Sequence, residues 1–254
     1  IQPEQLSRIK PGQPWNERIG LTDMSMSYFE RLYRLYQARE WHHLIGILSE
    51  QGRMHTDIMQ FANRHVYGGL LKVVDNVRQR IPLQELLPGT VSPLFGERLI
   101  YIPSSSSLAE TYLKTNQDEA AIIIRLVKQW SEMIDKRKLS WNIGVITPFR
   151  AQIAAITYLA HQQNVDLRHV TIDTVERYQG GARDIIIMST TVSSTHGLSK
   201  ITSITGDGID RKLNVAVTRA RQQFVLIGSE AILHSAASYK ALIEMCKKVE
   251  PAEI

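Results

Sequence analysis

The sequence predicts an α/β fold: a parallel sheet with helices on both faces, preceded by a helical N-terminal elaboration. Three observations carry that expectation. From Arg98 onward, short runs rich in Ile and Val recur at residues 99–102, 143–146, 169–172, 185–188 and 224–227. Runs of this length that are mostly apolar, rather than alternating, mark strands buried on both faces. Between them lie stretches of helical periodicity at 117–136, 148–163 and 211–220, and strands separated by helices build βαβ units. Finally, 43% of the 254 residues are apolar and 22% charged, which suits a substantial core and excludes a disordered chain.

Taken in order, residues 1–21 hold three prolines and little periodicity, and are expected to form an extended lead-in or linker. Residues 22–254 are expected as one domain, with a helical elaboration and connection over 22–97 and the α/β core over 98–254. Phe29, Leu32, Tyr33 and Tyr36 recur at helical steps. Two more helices are expected at 41–48 and 56–67, the second closed by Gly68-Gly69. Pro82, Pro88, Gly89, Pro93 and Gly96 then mark an irregular connection. A last helix is expected at 238–248, and the polar stretch 193–208 as a long mobile loop.

The 30 Lys and Arg outnumber the 25 Asp and Glu, for a net charge of +5, which favours polyanionic partners. No apolar stretch approaches the roughly 20 residues of a membrane span, and no signal peptide opens the sequence, so no membrane partner is expected. Cys246 is the single cysteine and has no disulfide partner within the chain, which fits a cytoplasmic, reducing compartment. A first residue of Ile1 rather than Met is what a piece of a longer protein would show.

The nucleotide motif most often found on such a sheet is absent. No Gly-Lys dipeptide exists, hence no G-x-x-x-x-G-K-[ST] phosphate loop. Asp118-Glu119 follow Asn116-Gln117 rather than an apolar strand, so they are expected to open a helix, where carboxylates favour the dipole. Neither an H-E-x-x-H motif nor a recurring metal-ligand spacing is present, and no metal site is expected. Three polar segments stand at strand boundaries: Val-Ile-Thr-Pro-Phe-Arg-Ala-Gln at 145–152, Thr-Val-Glu-Arg-Tyr-Gln-Gly at 174–180, and Leu-Asn-Val-Ala-Val-Thr-Arg-Ala-Arg at 213–221. The ends of strands are where open α/β sheets bind ligands.

In this order the three segments resemble the fourth, fifth and sixth motifs of the C-terminal RecA-like domain of superfamily 1 helicases. The resemblance is to the branch of the nonsense-mediated-decay RNA helicase and the replication nuclease-helicase. Upstream, Ser-Tyr-Phe-Glu-Arg-Leu at 27–32, Gln-Gly-Arg-Met-His at 51–55, and Asn116 with Glu119-Ala120 are similar to further segments of that branch. The resemblance covers about 25–229 in patches. Gly52 and Ala182 depart from the family, standing where relatives carry an adenine-stacking Tyr and a ribose-contacting acid.

The resemblance implies an α/β RecA-like second motor domain of an ATP-dependent helicase. ATP and Mg²⁺ would be held mainly by a preceding RecA-like domain of the same parent chain, so this chain would be inactive alone. It implies Arg219 and Arg53 as the catalytic contacts to the γ-phosphate, because a planar guanidinium donates two parallel hydrogen bonds to phosphoryl oxygens. Gln179 and Gly180 join them as nucleotide-binding residues. Thr147, Pro148, Arg150, Gln152 and Thr174 would contact the backbone of a single strand of DNA or RNA, which positions a strand without reading its sequence. Arg177 is a weaker candidate, and Arg221 is expected to be structural or ion-paired. Two alternatives stay open: a degenerate, non-catalytic domain that binds nucleic acid or protein, and an unrelated nucleotide-binding α/β domain.

Overall fold

The computed structural model describes residues 19–21, 26–74, 77–90, 92–105, 114–178, 181–204 and 208–254. Most of the expected lead-in therefore lies outside the described residues. The chain divides into two compact units, Ile1–Leu48 and Ser49–Ile254.

In the first unit the described helix is α1, Tyr28–Ala38. The Ser27 side chain caps it by accepting the Glu30 backbone N–H at 3.1 Å. Glu30 and Arg34, one turn apart, pair at 2.6 Å on its surface. Tyr28 and Phe29 are exposed and no residue of α1 is buried. The helix expected at 41–48 does not form. A single 3₁₀ turn, His42–Leu44, is followed by extended chain. Gly46 sits between β-branched Ile45 and Ile47 there, a combination with poor helix propensity.

The second unit opens with a two-stranded parallel ribbon, β1 (Glu50–Gln51) against β2 (Lys72–Val73), too short for the sequence pattern to reveal. Between them, α2 (Thr56–His65) buries Ile58, Met59, Phe61 and Ala62. The irregular connection contains one short helix, α3 (Leu83–Leu86).

Six parallel strands follow: β3 (Leu99–Pro103), β4 (Ile143–Ile146), β5 (Val170–Asp173), β6 (Arg183–Ser189), β7 (Ala220–Gly228) and β8 (Lys247–Lys248). Their spatial order is β5-β4-β6-β7-β3-β8. The connecting helices are α4 (Gln117–Arg137), α5 (Arg150–Gln162), α6 (Thr195–Ile201), α7 (Arg211–Val217), α8 (Glu230–Leu233) and α9 (Ala237–Met245). Alternate residues of each central strand enter different cores. Ile186, Met188, Phe224 and Leu226 pack with α2, α7 and α9; Ile185, Ile187, Val225 and Ile227 pack with α4 and α5. That division explains why the strand sequences are apolar throughout. At the centre of the second core, Trp130 donates its Nε1–H to the buried Gln223 Oε1 at 3.0 Å and meets Phe95 edge-on at 4.8 Å.

Several boundaries differ from expectation. The helix expected from 148 starts at Arg150, because Phe149 is extended at its N-cap. The helix expected to reach 220 stops at Val217, and Ala220 already pairs in β7. The last helix ends at Met245, since Lys247 and Lys248 pair with β3 as an edge strand. Charged lysines are the usual guard of an exposed edge. The polar stretch 193–208 contains α6, whose Ser194 cap accepts the Gly197 N–H at 3.0 Å and which buries Leu198 and Ile201.

Gly228 ends β7 under close neighbours: a Cβ there would lie 2.3 Å from Thr190 Oγ1 and 2.8 Å from Leu233 Cδ1. Gly228→Ala is expected to destabilise the chain by about 1–3 kcal/mol through overpacking. A thermal melt of the variant against the parent chain measures this.

Candidate functional site

Because all six strands run the same way, their N-terminal ends gather on one edge of the sheet and their C-terminal ends on the other. A strand of seven residues such as β6 separates the edges by about 20 Å. The expected residues divide between them. Arg219 precedes β7 and lies at the N-terminal edge, together with Arg53. Thr147, Pro148 and Arg150 come after β4, and Thr174 after β5, at the C-terminal edge. The three polar segments therefore stand at two edges of the sheet. Arg219 also sits in the helix-to-strand turn rather than on the helix.

At the N-terminal edge the two arginines are held by backbone carbonyls. Arg219 Nε donates to Val215 O at 3.3 Å and Nη1 to Gly181 O at 3.1 Å. Arg53 Nη1 donates to Thr218 O at 3.2 Å. Neither guanidinium has a carboxylate partner among the described residues. Burial, and then the neighbouring positive charge of Arg53, lower the Arg219 pKa from its ordinary value. The turn carrying Arg53 is tied down from three sides. The Gln51 Oε1 accepts the backbone N–H groups of Arg53 and Met54 at 2.9 and 2.8 Å. Buried Gln79 donates to Gln51 O and Met54 O. His55 N–H donates to Arg221 O at 3.0 Å, joining the turn to β7. Arg221 itself is ion-paired, 3.6 Å from Asp184, as expected; it lies on a strand.

At the C-terminal edge a buried carboxyl organises the strand ends. Glu119, fully buried in the first turn of α4, accepts the Ser189 hydroxyl at 2.5 Å, the Ser104 hydroxyl at 3.2 Å and the Thr191 backbone N–H at 3.0 Å. Thr191 has φ +56°, a strained conformation for a β-branched residue, and this N–H bond helps fix it. The helix start was expected at this position, but a carboxylate serving only the dipole was not what formed. The signal was present in the sequence. Glu119 shares one helical stripe with Ile122, Ile123, Leu126 and Trp130, all buried.

Two expected strand contacts belong to this network instead. Thr147 is fully buried, its Oγ1 3.2 Å from Thr191 Oγ1. Gln152 is also fully buried, accepting the Asn116 N–H at 2.8 Å and donating to Asn116 O at 2.9 Å. Burial and satisfied hydrogen bonds remove both side chains from the surface a strand would meet. Pro148 and Thr174 are half-buried and Arg150 is exposed. Arg177 is exposed and pairs with Asp173 at 3.7 Å. Gln179 and Gly180 lie outside the described residues. Among the described residues, no group of three His, Cys, Asp or Glu could hold a metal ion, and no helix is long and apolar enough to cross a membrane.

An all-parallel sheet, helices on both faces and functional candidates at the strand ends define a RecA-like α/β domain. Over residues 24–231 the sequence matches the family described as an AAA domain, AAA_12, and the chain belongs to that family. It is 28% identical over 236 residues to the uncharacterized ATP-dependent helicase MJ0104 of Methanocaldococcus jannaschii, covering 90% of this chain and 32% of that protein. It is 27% identical to the helicase sen1 of Schizosaccharomyces pombe (87% of this chain, 13% of the relative). It is 29% identical to the regulator of nonsense transcripts 1 homolog of Arabidopsis thaliana (89% and 17%). The chain thus spans a third or less of the length of these relatives. Motifs and relatives agree on a superfamily 1 helicase-type domain.

Desolvation raises the Glu119 pKa to about 7, against the lowering effect of its Ser189, Thr191 and Ser104 hydrogen bonds. A folded pKa above the unfolded one means the native state binds more protons. Stability is therefore highest below the unfolded value and falls as pH rises from about 4.5 to 7, by up to about 3 kcal/mol. Urea denaturation at pH 5 and pH 8 is expected to show this loss in the parent chain and a much smaller one in Glu119→Gln.

Proposed function

We propose that this chain is the second motor domain of an ATP-dependent superfamily 1 helicase, acting on single-stranded DNA or RNA. The observation that carries the reading is the pair Arg53 and Arg219, held side by side by carbonyls with no carboxylate among the described residues to neutralise them. Two adjacent guanidinium groups in that state suit a polyanionic substrate such as the phosphates of ATP. Charge that develops on the γ-phosphoryl during its transfer would be met by groups already in place, which is where electrostatic catalysis is strongest. The phosphate loop and the Mg²⁺ ligands would come from a preceding RecA-like domain of the parent protein. This chain has no phosphate loop and, among its described residues, no acidic cluster.

The opposite edge would hold the nucleic-acid strand. Pro148, Arg150 and Thr174 lie there, with Arg177 close by and Lys200 and Lys212 around the small pocket behind Pro148. The segment 174–182 leaves this edge at Thr174 and ends beside Arg219, whose Nη1 binds Gly181 O. It thus joins the two edges through the chain itself. The protein as a whole is proposed to be intracellular. A second reading, a degenerate domain that binds without catalysis, draws on Gly52 and Ala182, which offer neither a ring for the base nor an acceptor for the ribose.

Arg219→Ala in a protein that includes the preceding motor domain is expected to reduce ATP turnover by about 10³ or more while ATP affinity stays within about tenfold. Arg219→Lys should fail to restore turnover, because an ammonium lacks the planar fork. Steady-state phosphate release with a strand present, together with nucleotide titration, reads both quantities. Unchanged turnover in Arg219→Ala overturns the motor reading.

The 254-residue chain alone is expected to release no phosphate above background. Its single-strand binding is expected to be weak, tolerant of sequence and steeply weakened by salt. Phosphate release and fluorescence anisotropy against unrelated oligonucleotides test these points.

A further inference from the structure

The proposed function gives no task to the Asn-x-x-Glu-Ala segment that opens α4. Its Glu119 is fully buried, and no cation of the described residues acts on it, so its charge is costly to keep. The hydrogen bonds around it give that charge a use. Oε1 accepts the Ser104 hydroxyl at 3.2 Å, the Thr191 N–H at 3.2 Å and the Asn116 amide at 3.4 Å. Oε2 accepts the Ser189 hydroxyl at 2.5 Å and shares the Thr191 N–H at 3.0 Å. From Ser189 a row of hydroxyls runs on, 3.0 Å to Thr191 Oγ1 and then 3.2 Å to Thr147 Oγ1. An ionised carboxyl only accepts, so every hydroxyl of the row points toward Glu119 and finds an acceptor. A proton on Oε2 reverses the row, because Ser189 is the neighbour there that can accept it. Ser189 then turns its hydroxyl to Thr191, Thr191 turns to Thr147, and the Thr147 hydroxyl is left without an acceptor in the row.

Thr147 stands where this matters. It is fully buried, and its N–H donates to Asp173 O at 3.2 Å, immediately before Thr174. Its own chain continues into Pro148, Phe149 and Arg150. Both segments of the proposed strand edge are therefore anchored at this one residue. Thr191 adds a second observation: its φ of +56° is strain of the kind that collects at functional sites, and the bond from its N–H to the carboxyl holds it.

We propose that ionised Glu119 is a positioning residue for the strand-binding edge: through Ser189 and Thr191 it fixes Thr147, and with it Pro148, Arg150 and Thr174, in the arrangement that receives a single strand. The inference rests on the reading of that edge as the nucleic-acid side. Neutral Glu119 keeps the fold but loosens the edge. The two states are near balance at neutral pH, because burial pushes the carboxyl up to about 7. The other titratable groups facing it are Asp118 on its own helix, which opposes its ionisation, and Tyr101 on β3, whose phenol burial raises well above its ordinary value. Ser104, Ser189, Thr191 and, from α5, Gln152 carry no charge. A strand that prefers the ionised form is bound fully above that pKa and progressively less as pH falls through it. General electrostatics act in the opposite sense, since added protons make the chain more positive and favour a polyanion. Stability also runs the other way, because the proton that weakens binding stabilises the fold.

The test is the affinity of the 254-residue chain for a rhodamine-labelled oligo-dT strand, read by anisotropy between about pH 6 and pH 8 at one low ionic strength. With only the ionised fraction competent, the affinity of the parent chain is expected to fall about tenfold across that range. Glu119→Gln offers an amide that donates to Ser189 and so fixes the reversed row. It is expected to bind about tenfold more weakly than the parent at the upper pH and to vary less than about twofold with pH. Urea should unfold it there no more easily than the parent. Thr147→Val ends the row without altering the acid, and should also lose the pH dependence. A parent affinity that is flat or rises toward the acid end, or parent-like binding by Glu119→Gln, overturns the inference. So does a pH dependence that survives Thr147→Val. Weak binding by Glu119→Gln that comes with a matching loss of stability overturns it too, since the acid would then be structural only. Binding of no strand by any form at any pH is a distinct result, and overturns the strand-edge reading itself.

Discussion

Backbone pairing of β6 with parallel β4 on one side and β7 on the other is the interaction the rest of the chain depends on. Those three strands are buried on both faces, so each must offer apolar side chains in both directions and leave its polar groups to its ends. Parallel direction then sorts the ends. Residues just before a strand meet one edge, and residues just after it meet the other. Arg219 and Arg53 share an edge because one precedes β7 and the other is tied to that same junction through Thr218 and Arg221. No local feature of either arginine would have brought them together.

The C-terminal edge is held differently, by a carboxyl withdrawn from water. Glu119 gathers Ser104 after β3 and Ser189 and Thr191 around the end of β6, while Gln152 reaches the same cluster from α5 through Asn116. Strand ends and two helices thus meet in one polar network inside an otherwise apolar layer. Such networks are favourable when every member is satisfied, and Glu119 has partners for both oxygens. Removing that one acid would loosen several loops at once, because a single carboxyl holds them together.

The order of strands and helices in the core was legible because its signal is local. Unbroken runs such as Ile185–Met188 and the amphipathic period of α4 need only neighbours in sequence to be read. Short elements escaped. β1, β2 and β8 are two residues each, and their strand character comes from partners 22 or more positions away. The helix expected at 41–48 was an apolar stretch without helix propensity, as Gly46 shows. At the site, charge type was legible and exposure was not. Arg53 and Arg219 stood out as guanidinium groups in polar segments, whereas Thr147 and Gln152 looked like surface hydroxyl and amide groups until the Glu119 network enclosed them. Glu119 was read as part of a helix start, which α4 bears out, but only the apolar stripe around it tells that its side chain is inside.

The placement of β3 has a consequence for biosynthesis. Its five residues pair with β7 and β8, so both of its hydrogen-bonding edges wait for segments made more than a hundred residues later. At ribosomal speeds of about 5–20 residues per second, that wait is roughly 6–25 s. During it, Leu99–Pro103 is an apolar segment with two open edges, while β4, β5 and β6 can already pair with one another as they emerge. A nascent chain of this topology completes its sheet from the β5 side toward β3. Until then the open edges of β3 are free to pair with other strands, the usual hazard of an unpaired apolar segment.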